Sequence, residues 1–128
     1  MDMHQLVELL SELRSKLADL RVMLRLEEKQ EEIQKLQKQM NETDFWNDQE
    51  RATKVSKRVG FLTEEFESWK KLDKESQDLL EMAKLDEKDK EVNMREEIES
   101  SYNELVIKVE KLEFNTLLNG KHDEKNAI

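Results

Sequence analysis

Proline and cysteine are both absent from the 128 residues of this chain, and glycine occurs only at positions 60 and 120. Without cysteine, disulfide bonds and thiolate metal sites are excluded. Without proline, nothing forces a helix to break, and two glycines supply few of the turns that a sheet protein needs. The chain is also too short for two separate cores. These absences favour one small domain built from long helices.

Long apolar runs are missing as well. No stretch approaches the ~20 apolar residues that a membrane-spanning helix needs. The first residues, Met1-Asp2-Met3-His4, contain no basic segment followed by an apolar one, so a secretory signal is not expected. We therefore expect a soluble cytoplasmic protein with no membrane partner.

The chain has no excess of positive charge. Its 31 acidic residues outnumber 22 basic ones, and the net charge is −9. Nucleic-acid binding usually requires clustered lysine or arginine, whereas the basic residues here alternate with acidic ones. We expect no direct contact with nucleic acid. An acidic mixed surface suits a protein partner, although it serves equally well to keep the domain soluble.

The clearest pattern that is present is an apolar stripe in the middle of the chain. Its members recur at alternating steps of three and four residues, which places them on one face of a helix. They are Ala52, Val55, Val59, Leu62, Phe66 and Trp69. The stripe weakens at Asp73 and Ser76 and resumes at Leu80 and Ala83. Such a stripe is a packing surface for other helices, and we expect Trp69 to lie in the core.

Two more stripes precede this one, and they are out of phase by two residues. The first consists of leucines in a strict four-three pattern, namely Leu6, Leu10, Leu13, Leu17, Leu20 and Leu24. The second consists of Leu26, Ile33, Leu36 and Met40. The slip predicts two helices, the second over about residues 26–41, separated near residues 22–27 by a bend, a rotated face or a short break.

A polar loop is predicted at residues 42–47, before the long middle helix. Asn47 with Glu50 three residues on resembles a capping box, which predicts a helix from about residue 48 to 84. Gly60 lies inside that helix and is expected to be a tolerated defect rather than a point of close approach. Trp46 stands beside Phe45 in the loop. It either plugs the end of the bundle, the interpretation we favour, or is an exposed anchor for a partner.

The last helix is predicted to follow a turn at residues 85–90 and to end before Gly120. Asp86 or Asp89 is expected to cap its start. Its apolar positions are Met94, Ile98, Leu105, Val109 and Leu112. Gly120 is a natural left-handed C-terminal cap, so residues 121–128 are expected to be disordered or extended.

The predicted fold is all-α, an elongated antiparallel helical bundle or hairpin of three to four long helices. The helical domain is assigned to residues 1–119, and residues 120–128 to a linker or the start of a following domain. Acidic pairs such as Glu27/Glu28 and Glu64/Glu65 are expected by chance in so acidic a chain. His4 and His122 are expected at the surface. We therefore predict no catalytic, cofactor-binding or metal-binding residues.

Three segments carry a family resemblance. They are LEEKQEEI at residues 26–33, NETDFWNDQERA at residues 41–52 and LEFNTLLNGKHDEKNAI at residues 112–128. In combination they resemble the N-terminal domain of the bacterial peptide chain release factor 2 family, within the class I release factors. The resemblance extends from about Leu6 to Ile128. One departure is Arg25, where the family commonly has aspartate at the site of a programmed frameshift.

The resemblance implies a role in translation termination at UGA and UAA codons. It also implies that this helical domain docks near the stalk base of the large ribosomal subunit and influences the conformation of the factor. The family decodes with a Ser-Pro-Phe loop and hydrolyses peptidyl-tRNA with a Gly-Gly-Gln loop. A chain with no proline and no adjacent glycines contains neither motif, so we expect no enzyme activity here.

The alternative is a stand-alone coiled-coil adaptor or structural protein that oligomerises through its apolar stripes. A parallel coiled coil would keep its heptads in phase, so the slip at residues 24–26 and the tryptophan loop both favour the release-factor interpretation. The two hypotheses differ in oligomeric state. The release-factor domain is expected to be a monomer, and the adaptor an obligate oligomer.

Overall fold

The computed structural model describes residues 1–89 and 93–126, with side chains as far as residue 118. Within these residues it contains four α-helices, one short 3₁₀ turn and no strand. The elements are α1 (Met3–Met23), α2 (Leu26–Met40), the 3₁₀ turn (Phe45–Asn47), α3 (Gln49–Lys88) and α4 (Arg95–Asn126). The all-α class and the long antiparallel helices are confirmed. No described helix is long and apolar enough to cross a membrane.

Helix α3 organises the fold because every other helix packs against it. Helix α1 lies along its C-terminal half, where the indole Nε1 of Trp69 donates a 2.7 Å hydrogen bond to the Leu17 carbonyl. Helix α2 lies along the N-terminal half, where Arg58 pairs with Glu32 at 2.9 Å. Because the chain reverses direction after α2, both pairings are antiparallel.

Helix α4 completes only one end of this arrangement. It packs against α1 and α3, and no described part of it contacts α2. Lys16 on α1 pairs with Glu113 on α4 at 3.0 Å. We call α1, α4 and the C-terminal half of α3 the three-helix body. Helix α2 and the N-terminal half of α3 form the two-helix arm.

The three-helix body contains the main core. The leucine ridge of α1 is buried along its whole length. It meets the α3 stripe and an inner face of α4 formed by Ile98, Leu105 and Val109. Trp69 is only 6% exposed, so its predicted core position is confirmed. The apolar ridges of successive helices therefore bury one another within a single molecule.

A polar layer interrupts this core where the α3 stripe weakens. Ser76 is fully buried, and its hydroxyl donates a 2.7 Å hydrogen bond to the Asp73 carbonyl. Arg14 reaches across from α1, donating to the Ser76 hydroxyl at 3.4 Å and lying 3.7 Å from the Asp73 carboxylate. The contact between α1 and α3 therefore continues through these positions, where hydrogen bonds replace apolar contacts.

The predicted break between α1 and α2 is confirmed and falls at one residue. Arg25 adopts a left-handed conformation with φ 54°. A left-handed residue rotates the following helix, so Leu24 before it and Leu26 after it both face the core. This rotation accounts for the two-residue slip between the leucine stripes. The conformation costs about 1–2 kcal/mol for a residue that carries a Cβ atom.

The predicted start of the middle helix near residue 48 agrees with the structure to within one residue, whereas its predicted cap residue is wrong and its predicted end near residue 84 is four residues early. Asn47 is not the cap, since it closes the 3₁₀ turn. Asp48 caps α3 instead, and its carboxylate accepts a 3.1 Å hydrogen bond from the Arg51 amide. The helix continues to Lys88 because residues 85–88 contain no helix breaker.

The turn that follows α3 lies partly outside the described residues, at positions 90–92. The Asp86 carboxylate accepts a 3.3 Å hydrogen bond from the Met94 amide, just before α4 begins. Asp86 therefore contacts the start of α4 from within α3, not as the predicted N-cap residue. Asp89 is the residue after α3, and its amide donates to the Leu85 carbonyl.

The predicted end of α4 is also wrong. The helix passes through Gly120 and continues to Asn126, so the backbone of residues 121–126 is helical and not extended. Glycine lowers helix stability by only ~1 kcal/mol, and no proline follows to stop the helix. Residues 127–128 lie outside the described residues. The division into a domain and a linker at residue 120 remains a prediction.

Candidate docking site at the tip of the arm

The tip of the arm lies where the chain turns from α2 into α3. Two adjacent aromatic residues there differ in burial. Phe45 is buried between the ends of the two helices, whereas Trp46 is 58% exposed. Both belong to the 3₁₀ turn, in which successive side chains point about 120° apart, so neighbours do not face the same way. Phe45 is the plug, and the prediction that favoured Trp46 for this role is wrong.

The exposed indole of Trp46 is held in a fixed position. Its Nε1 donates a 3.2 Å hydrogen bond to the carbonyl of Met40, the last residue of α2. Its ring meets Phe45 edge-on, with centroids 5.0 Å apart and an interplanar angle of 89°. An apolar surface that is already oriented loses little conformational entropy when a partner covers it. Trp46 therefore presents an apolar surface whose orientation is already set by its contacts within the chain.

The charges around Trp46 favour a protein partner. Arg51 lies 5.6 Å from the Phe45 ring centroid and donates a 3.3 Å hydrogen bond to Gln39. The neighbouring turn carries acidic side chains, namely Glu42, Asp44 and Asp48. A turn that carries these carboxylates is a poor match for a phosphate backbone. Tryptophan beside arginine is typical of the residues that dominate protein–protein binding energy.

The structure places His4 in an ion-pair cluster at the opposite end of the molecule. Its Nδ1 lies 3.3 Å from Glu87 on α3, and its Nε2 lies 3.2 Å from Glu8 on α1. The hydrogen bond with Glu87, followed by the charges of Glu8 and Glu87, raises the pKa of His4 above its usual 6.5. This histidine joins the N-terminus of α1 to the end of α3. The side chain of His122 lies outside the described residues.

Of the acidic residues singled out in the sequence as pairs, Glu65 is half-buried and the other three are exposed. Glu27 lies 3.5 Å from Arg21, and Glu65 pairs with Lys29. Glu28 and Glu64 are exposed. Among the described residues no group of three or more histidine and acidic side chains is placed to hold a metal ion. Of the residues from the sequence analysis whose side chains are described, Trp46 is thus the one that the structure presents as a candidate binding group.

Comparison with known proteins gives a consistent match. Residues 29–128 match the PCRF domain family. Peptide chain release factor 2 of Petrotoga mobilis is 32% identical over 93% of this chain and 32% of its own length. The same factor from Nitratiruptor sp. is 31% identical over the whole chain and 35% of its length, and that of Staphylococcus haemolyticus is 29% identical over the whole chain and 34%. The chain spans about a third of these relatives. No solved structure matches it.

Proposed function

Because the chain belongs to the PCRF domain family and matches the N-terminal part of peptide chain release factor 2, we propose that it docks a termination factor on the ribosome. The factor would act at UGA and UAA codons in the cytoplasm. Decoding and hydrolysis would belong to other parts of such a factor, since this chain lacks both motifs. Its own part is non-catalytic: to bind the ribosome and to influence the conformation of the factor.

The observation that carries the proposal is the exposed, fixed indole of Trp46 at the end of the arm. Helix α3 contains 40 residues, which corresponds to about 60 Å at a rise of 1.5 Å per residue. The arm therefore holds Trp46 well away from the three-helix body. We propose that this tip contacts a protein of the stalk-base region of the large subunit, because the acidic tip is unsuited to RNA.

The adaptor alternative requires apolar stripes that are free to pair between molecules. The leucine ridge of α1 and the α3 stripe at Trp69 are already buried within one chain. This favours a monomer. Light scattering across a dilution series tests it, and an obligate dimer at every concentration would support the adaptor instead.

A fusion protein tests the docking proposal. This chain replaces the matching first third of the Petrotoga mobilis factor, and peptide release is measured on ribosomes stalled at UGA, UAA and UAG. We expect release at UGA and UAA. Trp46→Ala should raise KM by about tenfold with kcat unchanged, because a binding contact is lost but the chemistry is not. Val22→Ala is the matched control, since Val22 is 76% exposed and lies far from the tip.

Two further results decide between the parts of the proposal. Ribosomes depleted of stalk-base proteins should abolish the difference between the wild type and Trp46→Ala. Equal KM values for Trp46→Ala and Val22→Ala on complete ribosomes would show that the tip is not the docking site. A wild-type fusion that fails at UGA and UAA, while the unmodified relative succeeds, would contradict the proposed function itself.

A further inference from the structure

Helix α4 carries a second apolar face that nothing described in this chain covers. Phe114, Leu117 and Leu118 are each more than half exposed, and their spacing places them on one side of the helix. Ile107, one heptad before Phe114, is equally exposed. We call these four residues the α4 outer face.

The outer face lies roughly opposite the face that α4 buries in the core. Ile98, Leu105 and Val109 pack on that inner side against α1 and α3. A helix at the edge of a bundle usually has one apolar face and one charged face. Apolar residues on opposite sides are typical of a helix with neighbours on both sides. In the described structure α4 has neighbours on one side only.

The C-terminal part of the outer face lies in a segment that is unusually free of charge, whereas Glu110 and Lys111 lie between Ile107 and Phe114. Residues 114–120 (FNTLLNG) form the longest run without a charged residue, in a chain where 41% of residues are charged. Depletion of charge is the compositional mark of the centre of a protein interface. Solvent-facing positions elsewhere on the body, such as those of Glu96 and Glu97 at the start of α4, are charged. The part of the outer face at residues 114–118 therefore resembles an interface more than a solvated surface.

The length of the relatives supports one occupant for the outer face. They are about three times as long as this chain, and the matched PCRF region includes the whole outer face. We propose that the outer face is the surface on which the rest of a full-length factor packs against this domain. This proposal rests on family membership and not on docking through Trp46. A second copy is the less favoured occupant because two chains of net charge −9 repel each other.

Cysteine labelling tests the proposal directly, because the chain has no cysteine of its own. Leu118→Cys places a thiol in the outer face, where Leu118 is 51% exposed. Leu85→Cys is the matched control, since Leu85 is a 65% exposed leucine on α3, and not on α4. Maleimide labelling of each site is followed by mass spectrometry, in the isolated chain and in the fusion with the rest of the Petrotoga mobilis factor.

In the isolated chain both thiols should react rapidly. In the fusion, the labelling rate of Leu118→Cys relative to Leu85→Cys should fall by at least about tenfold, because labelling then requires the interface to open. Equal relative rates in the two proteins would overturn the proposal. Slow labelling of Leu118→Cys in the isolated chain that accelerates on dilution would assign the face to a second copy, which would also overturn it.

A folding control accompanies these measurements. Circular dichroism should show unchanged helicity for both variants, since both leucines are exposed, and Phe114→Cys is the second site if Leu118→Cys is unfolded. No ribosome is present in the assay. Equal labelling rates would therefore contradict the interface on α4 without bearing on docking through Trp46. Likewise, a negative result in the ribosome assay would not affect the interpretation of the labelling rates.

Discussion

The three-helix body and the two-helix arm use the same kind of apolar stripe and bury it to different extents. In the body, the leucines of α1 are enclosed between α3 and α4. In the arm, α2 packs mainly on α3, and its Ile33, Leu36 and Met40 remain half-exposed. In a pair of helices, each apolar stripe is covered on one side only. In the body, the third helix covers the side that would otherwise remain exposed. The body is therefore expected to supply stability, whereas the arm supplies reach and an accessible tip.

The difference also explains where a binding surface is available. The body satisfies its ridges internally, so it offers little for a partner to gain at its seams. The arm ends in a turn where Phe45 is buried and Trp46 is exposed. The buried core around Trp69 and the exposed ring of Trp46 thus lie in different regions along one long helix, α3.

The largest predicted effect comes from removing the central side chain of the body. Trp69→Ala should lower the free energy of unfolding by ~3–5 kcal/mol, because the buried ring and its hydrogen bond to Leu17 are both lost. Urea unfolding followed by circular dichroism measures this change. An unchanged midpoint would show that the seam faces water.

A matched pair of leucines compares the two regions directly. Leu17→Ala in the body should cost ~2–5 kcal/mol, since that side chain is fully buried. Leu36→Ala in the arm should cost about 1 kcal/mol or less, because the Leu36 side chain is half-exposed and its truncation removes less buried apolar area. Equal losses in urea unfolding would remove the distinction between body and arm.

The junction between the two regions offers a stabilising change. Arg25→Gly should raise the free energy of unfolding by about 1 kcal/mol, since glycine adopts a left-handed conformation without a steric penalty. Ala18→Gly, at an exposed position inside α1, should instead lower it by ~1 kcal/mol. If Arg25→Gly destabilises the protein as Ala18→Gly does, the junction is not left-handed in solution.

The smallest predicted effect is a pH dependence at the far end of the body. The folded state raises the pKa of His4 above 6.5, so it favours the protonated form. That stability is fully present below the unfolded pKa and is lost as pH rises through the folded pKa. The Tm difference between the wild type and His4→Gln should therefore shrink between about pH 6 and about pH 8. We expect only a small change in this Tm difference, because the His4 side chain is exposed. A Tm difference that stays constant with pH would show that the ion pairs of His4 do not contribute to stability.

The sequence was most informative where periodicity determines the structure. The leucine ridge of α1, the phase slip at residues 24–26 and the core position of Trp69 all follow from helical spacing, and the structure confirms them. Tolerance of Gly60 is confirmed too, since an added Cβ would meet no atom within 4 Å. Burial at these positions is determined by the packing of apolar ridges, so the helical periodicity of the sequence is enough to predict it.

Elements that depend on local competition were predicted less well. Composition did not reveal that Phe45 would be buried and Trp46 exposed, because a 3₁₀ turn decides which neighbour points inward. The same turn moved the helix cap from Asn47 to Asp48. Helix ends at Lys88 and Asn126 were placed too early, since weak signals such as Gly120 do not stop a helix that lacks proline. The burial of Ser76 depends on Arg14, which lies on another helix.

The central claim is that α1 lies in a closed three-helix core while α2 belongs to an open two-helix arm. Native-state hydrogen exchange of the isolated chain tests it most directly. We predict that amides in the middle of α1 exchange only through global unfolding, whereas those in the middle of α2 exchange through a separate opening of lower free energy. Equal protection of both helices, at the free energy of global unfolding, would contradict the account.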